Sequence, residues 1–300
     1  APSEMCIRDR YEAWVDSIFG HQIERTSEGR KDVLRLQVQM NLDIALDPVY
    51  ATMRSECHMV KHLFDTLVYV NEETNSIEPR LAFQWEYNDA EKVWTFYLRK
   101  GVRLHNGKRL TAHHVIHSLN RFMKAENNPH AWMLQHVESF RAVDEFVVEI
   151  QLHTVNRMFL HMLSAEQCSI VIEDEAGNFI GTGPFILREK NTHLFALEVH
   201  DLYYRERPFL DRIELLNVEQ NVNTYDVLVK AQYKDKENLN KELSRLESNV
   251  TYVTCNLVKE GPMQDELFRK ALYKIIHGDK IVQELGGERG EVALSLIHIS

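Results

Sequence analysis

Apolar and polar residues alternate in the stretch VLRLQVQ, residues 33–39. A period of two is that of a strand with one buried face. The same pattern recurs in EKVWTFYL, EFVVEIQLH, FILRE, HLFALEVH, DRIELLNV and VTYVTCNLV, so seven strands are expected. Elsewhere the apolar positions recur every three to four residues, the spacing of a helix with one buried face. HMVKHLFDTLVYV places Met59, Val60, Leu63, Phe64 and Leu67 on such a face. Val115, Ile116, Leu119, Phe122 and Met123 follow Thr111, a residue suited to capping a helix. NRMFLHMLS reads as a further helix. A helix from Asp265 carries Leu267, Phe268, Ala271, Leu272, Ile275 and Ile276, Gly278 breaks it, and another runs to Gly286-Gly287. The opening YEAWVDSIFGHQIERTSEGRKD predicts a short helix and a polar linker, and KAQYKDKENLNKELSRLESN a solvated, mixed-charge helix. Asp47-Pro48 and Asn106-Gly107 are turn signals. The class is mixed α and β, without strict alternation of strands and helices.

Composition narrows the function. The chain has 300 residues, is 44% hydrophobic and 27% charged, and carries a formal net charge of -10. No apolar run approaches the ~20 residues of a membrane span. An acidic chain offers no clustered lysine and arginine with which to grip a phosphate backbone. The four cysteines form no CxxC pair, and Cys57, Cys168 and Cys255 read as scattered reduced thiols, which favours a reducing compartment. Both ends, SEMCIRDR and LSLIHIS, resemble translated sequencing-adapter read-through. Residues 1–10 and 294–300 are therefore set aside from fold reasoning.

The richest chemistry is in RLHNGKRLTAHHVIHSL, where His105, His113, His114 and His117 fall close together. His113 and His117 have the four-residue spacing that a zinc site can use. Zinc needs further protein ligands, and a metalloprotease needs a glutamate beside the first histidine. Here another histidine stands there, so these read as solvated residues of a helix start. Gly181-Thr182-Gly183 precedes a proline and a strand rather than a helix, which removes the basis for binding an anion. No nucleophile elbow, Walker loop or dinucleotide-binding glycine motif occurs. No catalytic residue, metal or cofactor is expected.

Order is more telling than any one motif. LFDTLVYVNEETNSIEPRLAFQWEYNDAEKVWTFYLRKGVRLHNGKRLTAHHVIHSLNRF, then GTGPFIL, then YVTCNLVKEGPMQDELFRKALYKIIHGDKIVQELGG resemble family 5 solute-binding proteins, the oligopeptide and nickel-binder type. Where that family carries acidic residues after LTA, this chain has His113 and His114. The lead-in YEAWVDSIFG, together with DVLRLQVQMNLDIALDP and LHMLSAEQCSIV, is similar to the SgrR-type transcriptional regulators within it.

The resemblance implies an α/β, periplasmic-binding-protein-like type II fold of two lobes, with the second lobe incomplete. Residues 11–32 would be a linker helix from an N-terminal DNA-binding domain. Lobe I would comprise 33–50 and 166–218, interrupted by an inserted subdomain at 51–165, and lobe II would begin at 219–293. Ligand-cleft candidates are Leu42 and Asp43 after the first strand and Cys168 and Ser169 where the insert rejoins. Glu219 and Gln220 at the crossover and Asn256 in the second lobe complete the set. The implied function is solute sensing in the cytoplasm, for a sugar phosphate or peptide-like molecule, coupled to DNA through another domain. The alternative is an extracellular or periplasmic binder partnered by an ABC permease.

Overall fold

The computed structural model describes residues 18–27, 29–38, 42, 46–71, 74–90, 92–174, 177–217, 255–257 and 259–285. The chain divides between Ala231 and Gln232 into two compact units.

The larger unit opens with strands β1 (Gly20–Thr26) and β2 (Gly29–Val38), paired antiparallel. This corrects the linker expected up to residue 32. Gly29 turns the chain at φ 132°, a conformation that favours glycine. The hairpin was hidden because charges, not apolar side chains, pair its strands. Arg35 reaches Glu24, and His21 Nε2 lies 2.9 Å from Asp32 Oδ1. After a 3-10 turn at Pro48–Tyr50 comes α1 (Arg54–Leu63). The Glu56 carboxylate accepts the N–H groups of Thr52 and Met53, both at 2.9 Å, satisfying donors that a helix start leaves free. The helix expected to reach Leu67 stops at Leu63, because Phe64 is already extended. The Thr66 hydroxyl donates to the Val68 carbonyl at 2.6 Å, and the chain enters β3 (Val68–Asn71), paired with β4 (Ser76–Pro79).

Next come β5 (Ala82–Asn88), β6 (Val93–Leu98), α2 (Ala112–Lys124), β7 (Val137–Asp144) and β8 (Val147–Leu152). The four strands form an antiparallel sheet in the order β5-β6-β8-β7. Phe96, Leu98, Val148 and Ile150 from the sheet and Val115, Leu119 and Phe122 from α2 share one buried core. The turn before α2 is tight as expected: Gly107 has φ 79°, and its N–H donates to the Leu104 carbonyl at 2.7 Å.

The chain continues through α3 (Phe159–Leu163), β9 (Ile172–Glu173) and β10 (Phe179–Ile180) to β11 (Phe185–Lys190), β12 (Leu194–Val199) and β13 (Arg212–Asn217). A five-stranded sheet results, ordered β1-β2-β13-β12-β11, in which only the β2–β13 pair is parallel. Its core gathers Leu42, Leu46, Val60, Leu63, Phe64, Phe195 and Leu197.

In the smaller unit, α4 (Glu266–Ile275) is capped by Asp265, whose Oδ1 accepts the Leu267 N–H at 2.8 Å. Helix α5 (Gly278–Leu285) follows. Gly278 thus begins the second helix, as the broken apolar pattern predicts. The strand VTYVTCNLV, the mixed-charge helix and both adapter-like ends fall largely or wholly outside the described residues.

Candidate functional site

The parallel strands set the geometry. β2 and β13 run side by side from Arg212 opposite Val33 to Asn217 opposite Val38, so both end at one edge of the sheet. In open α/β sheets, ligands settle outside such carboxyl ends. Of the seven expected ligand residues, Asp43, Glu219 and Gln220 lie outside the described residues. Leu42, just beyond β2, is fully buried in the core of the five-stranded sheet.

Cys168 and Ser169 occupy the short turn where the chain returns from the insert, and both are buried. Burial pushes the Cys168 thiol up to about 12, since a thiolate there would lose its water, so it is an inert packing group in this conformation. The Ser169 carbonyl accepts from the Ser118 hydroxyl at 3.2 Å, and the Ser118 oxygen accepts the Val171 N–H at 2.9 Å. These contacts pin α2 to the returning chain. Asn256 is exposed, and its Oδ1 accepts the Lys259 N–H at 3.0 Å.

Three groups hold this region in place, of which the sequence marked only the Gly181-Thr182-Gly183 turn. Arg121, on α2, donates from Nη1 to Asp47 Oδ1 at 3.0 Å, from Nη2 to Asp47 Oδ2, and from Nε to Glu173 at 2.9 Å. Its guanidinium also lies 4.8 Å from the Phe179 ring centroid. The planar fork suits two carboxylates at once.

Gly181-Thr182-Gly183 forms the second group. The Gly183 N–H donates to the Leu63 carbonyl at 3.0 Å, and its carbonyl accepts from His105 Nε2 at 3.2 Å and His200 Nδ1 at 3.1 Å. The Gly181 N–H approaches His105 Nδ1 at 3.4 Å. A Cβ on Gly183 would sit 2.4 Å from the Leu63 carbonyl carbon, so only glycine fits there. The loop is a clamp rather than an anion cradle. Burial and the neighbouring His200 hold the His105 imidazole down to about 4, so it is neutral at pH 7.

The third group is Asp65, fully buried, with Arg80 Nε 2.8 Å from its Oδ1. Arg80 also lies over the Tyr69 ring at 5.1 Å. Burial pushes the Asp65 carboxyl up to about 6, against the opposing pull of Arg80 and Arg205. Tyr204 packs beside it, and burial raises its hydroxyl strongly. Tyr204 and Arg205, in the stretch DLYYRERPFLD, thus lie against a buried acid.

The histidines divide. His113 and His117 face solvent on α2, as the solvated reading predicts. His114 departs from it: its Nδ1 accepts the Thr111 N–H at 3.1 Å, the capping role usually taken by glutamate or glutamine. Among the described residues no group of three or more histidine, cysteine or acidic side chains could hold a metal ion. Nor is any helix among them long and apolar enough to cross a membrane.

The family model for bacterial extracellular solute-binding proteins, family 5, middle region, matches residues 76–300. The chain belongs to the family 5 solute-binding proteins. YhjP of Bacillus subtilis, described as uncharacterized, is 34% identical over 98% of this chain and 50% of its own length. The HTH-type transcriptional regulator SgrR of Pectobacterium atrosepticum is 28% identical over 79% of this chain and 42% of its own. The chain spans about half the length, or less, of these curated relatives. Among solved structures, DppA of Helicobacter pylori in complex with the peptide STSA has a TM-score of 0.55 at 24% identity, covering 62% of this chain and 42% of that one. MoaA of Agrobacterium tumefaciens R10 with mannopinic acid has a TM-score of 0.57 at 25% identity, covering 63% and 41%. The fold is that of the two-lobed family 5 binding proteins, of which this chain covers a part. The family is one of solute binders, and within it this is an SgrR-type domain.

Proposed function

We propose that the chain is the ligand-sensing part of a longer DNA-binding regulator, in which closure of two lobes on a small solute sets the state of the DNA reader. The observation that carries this reading is the parallel β2–β13 pair, which brings two chain segments 179 residues apart to one carboxyl edge. From that edge the sequence runs directly into Leu42-Asp43 and toward Glu219-Gln220. Asp43, Glu219, Gln220 and Asn256 are the polar residues proposed to meet the solute. Leu42, Cys168 and Ser169 would back the crevice wall. A solute that touches both lobes favours the closed form by its greater affinity for it. Binding, not bond-making, is the proposed activity.

The likeness to SgrR, whose name describes an HTH-type transcriptional regulator, favours this reading and a cytoplasmic site of action. The second reading, an external binding protein serving an ABC permease, draws on the structural likeness to a substrate-binding protein of Sinorhizobium meliloti, TM-score 0.55. One experiment separates them. The protein from the intact gene is tested for binding to its own upstream DNA, with and without sugar phosphates and short peptides. The regulator reading expects DNA binding that a solute shifts by about 5-fold or more, the coupling usual between linked sites. A secreted or lipid-anchored product without DNA affinity would establish the importer reading instead.

A further inference from the structure

We propose that His105 and His114 latch the hairpin of residues 103–111 at its two ends and release it when they gain a proton. The hairpin closes on itself through the Leu104 N–H, which donates to the Lys108 carbonyl at 2.8 Å. The Leu110 N–H adds a bond to the Val102 carbonyl at 3.0 Å. Two imidazoles then tie the ends. His105 Nδ1 accepts the Gly181 N–H at 3.4 Å, while its Nε2 donates to the Gly183 carbonyl at 3.2 Å. His114 Nδ1 accepts the Thr111 N–H at 3.1 Å, at the start of α2. In both rings Nδ1 must be the bare nitrogen, and a charged imidazole has none. The Thr111 hydroxyl, 3.0 Å from His114 Nδ1, could accept from the charged ring, but the Thr111 amide would then lose its acceptor. A carboxylate at position 114 would keep the cap down to about pH 4.

The surroundings turn protonation into release. His105 faces the His200 ring edge-on, centroids 5.1 Å apart, and Arg188 of β11 adds a further positive charge. Asp201, beside His200, opposes them. His114 is held down by its burial and by His113, Lys108 and His117. It also stands at a helix N-terminus, where the dipole disfavours positive charge. Asp144 and Glu145 lie on the β7–β8 turn, where the Glu145 carbonyl accepts the Ala112 N–H at 2.8 Å. Among the described residues no ion pair joins either acid to His114 or Lys108. From Arg99 to Ala125 the sequence contains no acidic residue, so each proton taken up adds to charge of its own sign. His62 of α1, also held to about 4 by burial, packs its ring on Phe185 and His58 instead. Release frees the hairpin from the turn that leads into β11. Acid therefore loosens the inserted subdomain from the five-stranded sheet.

The test is imidazole nitrogen NMR and amide hydrogen exchange on the whole chain, at about pH 7 and about pH 5. At the higher pH both rings should carry their proton on Nε2, with Nδ1 bare. With His105 held at about 4 when latched and near 6.5 when free, Gly181 amide protection should fall on the order of twentyfold between the two conditions. Thr111 should lose protection in the same direction. His114→Asp should hold Thr111 protection at the lower pH, and His105→Gln should leave Gly181 weakly protected at both. His153→Gln, an exposed histidine outside the hairpin, should change neither response. A ring protonated on Nδ1 at the higher pH would overturn the proposal, as would equal protection of Thr111 and Gly181 under both conditions. So would a loss at Thr111 that persists in His114→Asp. Exchange at these amides no faster than in the four-stranded sheet would do the same, because the whole fold rather than the hairpin would then be opening.

Discussion

The four-stranded sheet and the β1–β2 side of the five-stranded sheet are held by different forces. In the four-stranded sheet, β6 and β8 bury Phe96, Leu98, Val148, Ile150 and Leu152, and α2 closes over them with Val115, Leu119 and Phe122. Burial of this kind is non-directional, and a full Phe or Leu side chain contributes about 1.5–3 kcal/mol. The outer edge of the five-stranded sheet is wired by charge instead. Only Val33 of β2 is fully buried. Around it, Arg35 joins Glu24 and Glu214, and Lys31 faces Glu198 at 3.6 Å. Half-exposed pairs contribute about 0–1 kcal/mol each, so this edge gains register more than stability. One region is strong and unspecific, the other weak and closely addressed.

Three measurements bear on that contrast. Phe96→Ala should cost about 3–5 kcal/mol in urea unfolding, through lost burial and the cavity left behind. A smaller effect reaches from the insert to the five-stranded sheet through the Gly183 clamp. His105 is neutral when folded and gains a proton near 6.5 when unfolded, so its stabilisation is complete above pH 6.5. That contribution, about 3 kcal/mol, is lost as pH falls from 6.5 toward 4. Unfolding followed across that window should show a decline to which His62, also held down to about 4 by burial, contributes, and His105→Gln should make it shallower. Asp65 acts in the opposite sense, because its raised carboxyl holds a proton in the folded state up to about pH 6. An unchanged slope in the His105 variant would mean the clamp histidine is not the group titrating. Least costly should be Arg35→Ala, about 1 kcal/mol, shrinking as salt is added. If it proved as damaging as Phe96→Ala, the edge would be an energetic support and not an address.

How much the sequence disclosed follows from the same contrast. Strands β6, β8, β11, β12 and β13 and helix α2 announce themselves by apolar period, because burial is what holds them; α4 and α5 show the same period although their apolar residues, Leu267 and Ile275 among them, stand exposed. The Asn106-Gly107 turn was readable from residue type alone, as was the helix start at Thr111, although the capping bond there comes from His114. β1 was not, since its cross-strand partners are charges, and charge has no period to detect. β5 and β7 were passed over for a related reason: each alternates between half-exposed and exposed positions and buries a single residue, Ala82 and Val137. The family was legible from motif order. The polar framework was not, because Arg121–Asp47 and His105–Gly183 join residues 74 and 78 positions apart, and one sequence carries no record of such meetings. Asp65 within LFDTL offered a faint signal, an acid among apolar neighbours, which in hindsight asks for a buried partner.

The parallel seat of β13 between β2 and β12 imposes a timetable on biosynthesis. A ribosome adding about 5–20 residues per second delivers β13 on the order of ten to forty seconds after its neighbour β2. Throughout that interval one flank of β2 stands without its mate while the intervening subdomain is free to fold. Arg35 alone is charged within the Val33–Val38 stretch that waits for β13, and a charge on an open strand discourages a second nascent chain from docking in the vacant lane.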